Sequence, residues 1–238
     1  MKNRVAICCI CLVFNQLIYG QQTSEPKEII RDDAKNRLEK AVADMMGHVG
    51  DSVFVRAFKS ENQLELWLKT DSLYHLFRTY PICNWSGDYG PKRKQGDMQV
   101  PEGFYQIVRF NPNSDYHLSL GINYPNASDL HFADPKKPGG AIYIHGSCGS
   151  HGCIPIGDTN IEEVYWLCWQ AFQNGQKNIP VHIFPCRLTD EKLESLTNRY
   201  LLNRHFWENL QPGYQYFEKK KLVPVVEVEE TGRYRIKY

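Results

Sequence analysis

The sequence predicts a mixed α+β protein that is rich in β-structure. Short segments in which apolar and polar residues alternate, the pattern of a strand with one buried face, dominate the first half of the chain. Amphipathic helical patterns lie before and after them, at residues 25–47, 159–174 and 189–203. With 238 residues, the chain is long enough for one core-bearing domain with attached segments.

Residues 1–20 have the features of a secretory signal peptide. Lys2 and Arg4 form a positive start, a mostly apolar run follows, and Gly20 is a small residue at a plausible cleavage point. A retained anchor is the alternative, but the run is short for a bilayer span and polar residues interrupt it. We therefore predict an exported protein with no integral membrane segment after the signal peptide is removed.

The next segments predict one helix and three strands. Residues 21–50 form an N-terminal helical segment, which Gly47 is expected to end. Residues 53–58 and 63–69 are predicted strands joined by a tight turn, and residues 72–82 form a third strand. The alternation in the second strand predicts which side chains are buried: Leu64, Leu66 and Leu68 face the core, whereas Glu65, Trp67 and Lys69 face solvent.

Residues 83–105 contain several glycines and prolines, which predicts loops and turns. Strands are expected at residues 106–110 and 116–120, with a turn at residues 111–114 between them. The composition of this half therefore places a long irregular segment in the middle of a β-rich region.

The chemistry-bearing stretch is residues 141–158, AIYIHGSCGSHGCIPIGD. A short apolar run predicts a buried strand that ends at His145, and a glycine-rich loop then leads to Cys153. A cysteine and a histidine at strand ends are what nucleophilic catalysis needs, because the imidazole can remove the thiol proton and later return one to a leaving amine. A free cysteine thiol has a pKa of roughly 8.5, so activation by the histidine matters.

The C-terminal third predicts further helices and a hairpin. The helix at residues 159–174 is expected to begin with a capping box of Thr159 and Glu162. A strand follows at residues 180–185, and His182 within it is interpreted as structural. Three further predictions complete the chain: a helix at residues 189–203, a helix break at Pro212-Gly213, and a closing hairpin of residues 223–228 and 233–238.

Five cysteines remain outside the predicted signal peptide: Cys83, Cys148, Cys153, Cys168 and Cys186. An odd number in an exported chain fits one free reactive thiol. Cys168 lies in a helical apolar stripe, which indicates a packing role. For the thiols near the site three arrangements stay open: a Cys83–Cys148 pair, a reversible Cys148–Cys153 pair, or no pairing.

Residues 145–153 resemble the catalytic motif of the YkuD-type L,D-transpeptidases, in which a His-Gly pair precedes a Ser-x-Gly-Cys segment. A second likeness lies in residues 96–105, GDMQVPEGFY, which resemble the Thr-Pro-x-Gly-x-Phe/Tyr signature of that family, with Val100 in place of the threonine. The resemblance implies a YkuD-like β-sandwich core with packed helices. It implies a catalytic domain at residues 51–188, followed at residues 189–238 by a C-terminal helical extension and the closing hairpin.

The resemblance also implies roles for single residues. Cys153 is the nucleophile and His145 is the base. Four neighbours are expected to shape the loop or hold the oxyanion: Gly152, Gly146, Ser150 and His151. We further name Lys92, Arg93 and Tyr105 as substrate-binding candidates, since a basic cluster could contact peptide carboxylates; a solvated turn is the other interpretation of that cluster.

Two departures favour the YafK-like branch of the family. The loop between His145 and Ser150 is short, and Pro155 stands where cross-linking members usually have arginine. That branch contains members that hydrolyse peptidoglycan-linked amides. The resemblance therefore implies a protein of the periplasm or cell envelope that acts on peptidoglycan stem peptides, with a wall-linked protein as a further partner, and that leans to hydrolysis; cross-link formation is the alternative.

Other function classes are weaker. The formal net charge of +1 gives no case for nucleic-acid binding. His145, Cys148, His151 and Cys153 are ligand types for zinc, but their spacing does not match the usual zinc patterns, so we predict no metal and no cofactor. A non-catalytic cell-wall-binding module is the remaining alternative.

Overall fold

The computed structural model describes residues 30–237, so the predicted signal peptide and the start of the predicted first helix lie outside the described residues. The first helix, α1, spans Asp32–Asp44 and buries Leu38 and Val42. It ends before Gly47, because Met46 already adopts a left-handed backbone conformation with φ of 58°. Within the described residues, the predicted first helix is present at Asp32–Asp44.

One eight-stranded sheet forms the centre of the structure, in the order β3-β2-β1-β8-β4-β5-β6-β7. Neighbouring strands are antiparallel except for the parallel pairs β1–β8 and β6–β7. The strands are β1 (Val53–Phe58), β2 (Gln63–Lys69), β3 (Tyr74–Pro81), β4 (Gly103–Ser114), β5 (His117–Ile122), β6 (Tyr143–His145), β7 (Ile154–Pro155) and β8 (Ile179–Phe184). Together with the helices, this sheet confirms the predicted mixed, β-rich fold class.

Four more α-helices, a short 3₁₀ helix at Leu201–Asn203 and a small hairpin complete the described chain. The α-helices and the hairpin strands are α2 (Ala127–Phe132), α3 (Asp158–Gln173), α4 (Asp190–Arg199), α5 (Arg204–Lys220), β9 (Val225–Val228) and β10 (Tyr234–Lys237). The closing hairpin is confirmed as the antiparallel pair β9–β10, which forms a separate two-stranded sheet. The short helix α2 was not predicted. No helix among residues 30–237 is both long and apolar enough to cross a membrane.

Both faces of the central strands are buried. Val55 and Ala57 of β1 belong to the same hydrophobic cluster as residues of α3. Phe54 and Phe58, which alternate with them, pack with residues of α5. Since successive side chains of a strand point to opposite faces, α3 and α5 cover opposite sides of the sheet.

Because α5 covers the second face of the sheet, the predicted solvent exposure of alternate β2 side chains is wrong. Glu65 and Trp67 were expected to face solvent, yet they are 2% and 7% exposed. The Glu65 carboxylate instead accepts hydrogen bonds from Arg56, with Nη2–Oε2 at 2.7 Å, and from Trp67 Nε1 at 2.8 Å. Glu65, a charged residue within the alternating pattern, therefore belongs to a buried ion pair with Arg56. Its charge is neutralised and hydrogen-bonded, as burial of a charge requires.

Two predictions about helix ends are wrong. The residue before α3 is Gly157, with φ of 79° and no side-chain cap, so Thr159 and Glu162 form no capping box. Helix α5 continues through Pro212. Gly213 is a packing position rather than a break, because a Cβ there would come within 2.5 Å of the Phe104 ring.

Candidate active site

The two predicted catalytic residues lie at the ends of neighbouring strands: His145 ends β6, and Cys153 directly precedes β7. The two strands pair in parallel, with Ile144 beside Ile154 and His145 beside Pro155. Continuing this register by one residue would place Cys153 opposite Tyr143. Because alternate residues of a strand share a face, that position would be diagonal to His145 on the neighbouring strand.

His145 is held in one orientation. Its side chain is 2% exposed, and its ring lies 4.7 Å from the Tyr116 ring, measured between centroids. Its Nδ1 lies 2.5 Å from the backbone oxygen of Gly146. A carbonyl oxygen can only accept, so Nδ1 carries the proton and Nε2 keeps its lone pair. Burial lowers the pKa of His145, which favours this neutral form, although the bond to Gly146 opposes the shift in part.

Cys153 is a free, half-buried thiol. Its Sγ lies 3.7 Å from the backbone oxygen of Ala141. Burial raises the pKa of Cys153, while a hydrogen bond from the Tyr143 backbone and the positive charge of Lys92 lower it in part. These directions favour a neutral thiol at Cys153 and a neutral imidazole at His145.

The loop before Cys153 is fixed by a residue from a distant part of the chain. The N–H of Gly152 donates to Ser86 Oγ at 2.7 Å, and the Ser86 hydroxyl donates to Met98 O, also at 2.7 Å. Gly152 has φ of 102°, and a Cβ there would lie 2.9 Å from Gln99 O. Glycine is therefore required at this position by conformation and by space. The Gly152 amide donates to Ser86, which agrees with the loop-shaping role that was one of its two expected roles.

Ser150 and His151 differ in their placement. The Ser150 hydroxyl donates to the backbone oxygen of Cys153 at 2.7 Å and so fixes the turn that presents the thiol. His151 is exposed. Of the two predicted supporting side chains, only Ser150 has a contact that holds Cys153.

Gly146 lets the base loop pack closely on α3. A Cβ at Gly146 would lie 2.5 Å from Asp158 Oδ1 and 2.6 Å from Tyr116 O. Asp158, the first residue of α3, accepts a hydrogen bond from Ser147 N at 2.7 Å. Asp158 therefore ties the residues after His145 to the helix, a role that sequence reasoning missed.

A disulfide joins Cys83 to Cys148, whose Cα atoms are 5.3 Å apart. Of the three open arrangements, the structure shows this one, and Cys153 stays free. The bond connects the chain after β3 to the loop between His145 and Ser150, and it closes a sequence separation of 65 residues. Cys168 is a buried free thiol, as predicted.

Two of the three substrate-binding candidates, Lys92 and Tyr105, are buried. Lys92 is 4% exposed and its Nζ lies 2.5 Å from Asp97 Oδ1, so the solvated turn expected at this residue is wrong. Tyr105 is also 4% exposed, and its hydroxyl lies 3.0 Å from Asp129 Oδ2. Because the Lys92 ammonium and the Tyr105 hydroxyl are both buried, neither is placed for direct contact with a substrate. Arg93 is partly exposed on another side of the same loop.

The described chain also bears on the zinc alternative. Among residues 30–237, no group of three or more His, Cys, Asp and Glu side chains is placed to hold a metal ion. Cys148 is in the disulfide and has no thiolate to offer.

The described chain combines a mixed, largely antiparallel sheet with a free cysteine, Cys153, and an oriented histidine, His145, next to paired strands. The family model described as the L,D-transpeptidase catalytic domain, YkuD, matches residues 53–170. The Escherichia coli (strain K12) protein named "Putative L,D-transpeptidase YafK" is 38% identical over 189 residues, which cover 78% of this chain and 74% of that protein. The chain belongs to the YkuD L,D-transpeptidase family.

Solved structures of lower similarity also match. The helical cell shape determining protein Pgp2 from Campylobacter jejuni is 19% identical, with 86% of this chain and 82% of that chain covered and a TM-score of 0.46. Bd1075 from Bdellovibrio bacteriovorus is 21% identical, with 70% of this chain and 62% of that chain covered and a TM-score of 0.42.

Proposed function

We propose that this protein is an exported cysteine enzyme that transfers acyl groups of peptidoglycan stem peptides through a Cys153 thioester. The observation that supports it most is the orientation of His145. Its Nδ1 donates to Gly146 O, which leaves Nε2 free to act as the base, and Cys153 comes directly before the strand that pairs with the strand of His145.

The first half-reaction balances with these two residues. His145 Nε2 takes the proton of the Cys153 thiol, and the sulfur forms a bond to the amide carbonyl carbon. The tetrahedral intermediate collapses, the C–N bond breaks, and the imidazolium returns its proton to the leaving amine. A thioester and a free amine result.

The oxyanion of that intermediate needs hydrogen-bond donors. Since Gly152 N–H is bound to Ser86, the proposal places the donor at the next amide, that of Cys153. Ser150 does not contact the oxyanion in this proposal. Its hydroxyl donates to the Cys153 carbonyl and so fixes the orientation of the turn. One such donor typically contributes on the order of 3 kcal/mol to transition-state stabilisation.

The second half-reaction decides the class of enzyme. Water, activated by His145, would attack the thioester, break the C–S bond and release an acid; an amine of another stem peptide would instead form a cross-link. Hydrolysis is favoured by the short loop after His145, which the Cys83–Cys148 bond holds, and by Pro155. Transpeptidation is the second candidate, because it is the activity in the name of the E. coli relative.

Export to the envelope has support of its own. Disulfides form and persist in oxidising compartments and are rare in the cytosol. The Cys83–Cys148 bond therefore agrees with a secreted chain, and a wall-linked protein would be a natural leaving amine there.

The test is mass spectrometry of purified peptidoglycan after incubation with the protein and with its Cys153→Ala variant. Released amines or shortened stem peptides with the unchanged protein alone support a cysteine hydrolase. New stem-to-stem linkages identify a transpeptidase. If the variant produces the same changes as the unchanged protein, the thioester mechanism is wrong. If neither changes peptidoglycan that carries its wall-linked proteins, the non-catalytic binding module becomes the better interpretation.

A further inference from the structure

The face of the sheet that carries the His145 side chain extends across β5 to β4. Tyr143 of β6 pairs with Gly121 of β5, and Gly121 pairs with Arg109 of β4. A Cβ on Gly121 would lie 3.0 Å from Tyr143 Cε1 and 3.2 Å from Arg109 Cβ, so the three residues share one face. Because alternate residues of a strand point to the same side, this is also the face of His145, two residues after Tyr143.

Arg109 and Tyr143 meet on this surface. Arg109 Nη1 lies 3.4 Å from the Tyr143 hydroxyl oxygen, which is a long hydrogen bond. Arg109 is exposed, and Tyr143 is half-buried. Within the part of the chain that the structure describes, Arg109 forms no ion pair. A guanidinium has five N–H donors, so most of those of Arg109 are available to a ligand.

The strands of this surface offer Arg109 no counter-charge. Strands β4, β5, β6 and β7 contain no aspartate or glutamate. Asp115 lies in the turn after β4, six residues from Arg109, which corresponds to about 20 Å of extended chain. Of the two acidic residues in the first turns of α3 that approach this region, Asp158 accepts a backbone N–H beyond the end of β6, and Glu162 pairs with His117 at 2.7 Å.

Tyr143 connects this surface to the proposed nucleophile. Its backbone N–H donates to the Cys153 thiol, whereas its hydroxyl meets Arg109. An anion bound by Arg109 and the Tyr143 hydroxyl would lie near Gly121, about one strand spacing of 4.7–4.9 Å from the Tyr143 backbone. Since one residue of an extended peptide spans about 3.3–3.6 Å, the anion would belong to the residue that the thiol attacks or to its neighbour.

We propose that Arg109 and the Tyr143 hydroxyl bind a free carboxylate of the substrate peptide, on or next to the residue whose carbonyl Cys153 attacks. The inference rests on the proposed function and adds a specificity to it: the preferred substrate carries a free carboxyl group close to the scissile amide. Arginine suits this role because its planar fork matches the two oxygens of a carboxylate. The tyrosine hydroxyl can accept from Arg109 and donate to the same carboxylate.

The test measures binding to the full chain carrying Cys153→Ala, so that no turnover intervenes. The probe is a synthetic stem peptide that ends in diaminopimelate, a residue with two carboxyl groups. One carboxyl forms an amide with butylamine; the other is free in the acid probe and is a carboxamide in the amide probe. Calorimetry should show that the acid probe binds about five- to tenfold more tightly, because hydrogen bonds to a charged group are involved.

Variants assign this preference to the two side chains. Arg109→Gln should abolish the preference for the acid probe, and Tyr143→Phe should reduce it. Arg199→Gln is the matched control, because Arg199 is an exposed arginine on α4 that forms no ion pair within residues 30–237, and it should keep the full preference. In the protein with Cys153 intact, Arg109→Gln should raise KM for the acid probe about five- to tenfold with little change in kcat, and it should leave the amide probe unaffected.

Three results would overturn the carboxylate site. They are equal binding of the two probes, a preference that survives Arg109→Gln, and a dissociation constant for the acid probe weaker than about 10 mM. Amine release distinguishes this failure from failure of the proposed function. Equal release from both probes would reject the carboxylate site and support the cysteine enzyme, whereas a binding preference without release from either probe would support the site and reject the proposed reaction.

Discussion

At the scale of single residues, the two nitrogens of His145 have different tasks. Nδ1 donates to Gly146 O and fixes the ring, which leaves Nε2 free for the thiol proton that the proposed function assigns to it. This is the role that a third residue plays in many nucleophile–base arrangements, and here a backbone carbonyl fills it. A backbone partner carries no formal charge, so it orients the imidazole and raises the pKa of His145 only in part against burial.

Replacing this base should remove most of the activity without unfolding the protein. His145→Gln is expected to lower kcat/KM for amide cleavage by about 10² to 10⁴, the usual range for general base catalysis. The measurement is amine release from a synthetic stem peptide. His151→Gln is the matched control in the same loop, since His151 is exposed. Equal losses of activity in both variants would show that His145 is not the specific base.

The protonation state of Cys153 gives a second prediction. Burial raises the pKa of Cys153, so the thiolate fraction at pH 7 should be smaller than that of an ordinary cysteine, and alkylation by iodoacetamide should be slow there. The rate should rise with pH and reach half its plateau only above the ordinary range of thiol pKa values. Peptide mapping assigns the label, and the other free thiols of the described chain, Cys168 and Cys186, are buried. A midpoint below pH 7 would indicate a preformed thiolate–imidazolium pair instead.

At the scale of elements, the nucleophile loop depends on one glycine and tolerates change at another. Gly152→Ala would force a left-handed residue against Gln99 O at 2.9 Å, and we expect it to destabilise the fold by about 1–2 kcal/mol and to lower activity through a displaced thiol. Thermal unfolding and the same amine-release assay measure both effects. At Gly149 an added Cβ meets nothing within 4 Å, so Gly149→Ala is the control and should change neither. An active, stable Gly152→Ala protein would show that Ser86 and Gln99 do not fix the loop.

Elements with a strong local pattern were predictable. The bounds of β1 and β2 agree with the predicted segments, because apolar alternation and a tight turn are local signals. The helix break predicted at Pro212-Gly213 is wrong, because it was inferred from the local preference of proline and glycine to end helices. In α5 the glycine instead serves close contact with Phe104, more than 100 residues away in sequence. Such a contact leaves no trace in the spacing of the helix itself.

At the scale of the whole molecule, the same limit applies to the site. Cys153 and His145 could be proposed as a pair from the sequence because they lie within one short stretch. Ser86 could not, since its role depends on folding that brings it to Gly152 across a separation of 66 residues. The exposure of Glu65 was wrong for a related reason: only the packing of α5 on the second face of the sheet turns a polar position into a buried one.

One buried carboxylate joins three parts of the fold. Glu102 is 0% exposed and lies 2.9 Å from Lys59 Nζ at the end of β1. It accepts Gly90 N at 2.8 Å from the loop that also carries Ser86, and Trp207 Nε1 at 2.6 Å from α5. The sheet, the loop behind the thiol and the C-terminal helix therefore share one acceptor, so they should unfold together.

Glu102→Gln tests this coupling. The change leaves Lys59 buried without its counter-charge and removes one of the acceptor oxygens, so we expect a loss of about 3 kcal/mol in the free energy of unfolding. Urea unfolding followed by tryptophan fluorescence and by far-UV circular dichroism should show one transition that shifts equally with both probes. Glu227→Gln, which removes only exposed ion pairs to Arg235 and Lys237, should leave the midpoint nearly unchanged. Two separated transitions in Glu102→Gln would show instead that α5 and the hairpin form a unit that folds apart from the sheet carrying His145 and Cys153.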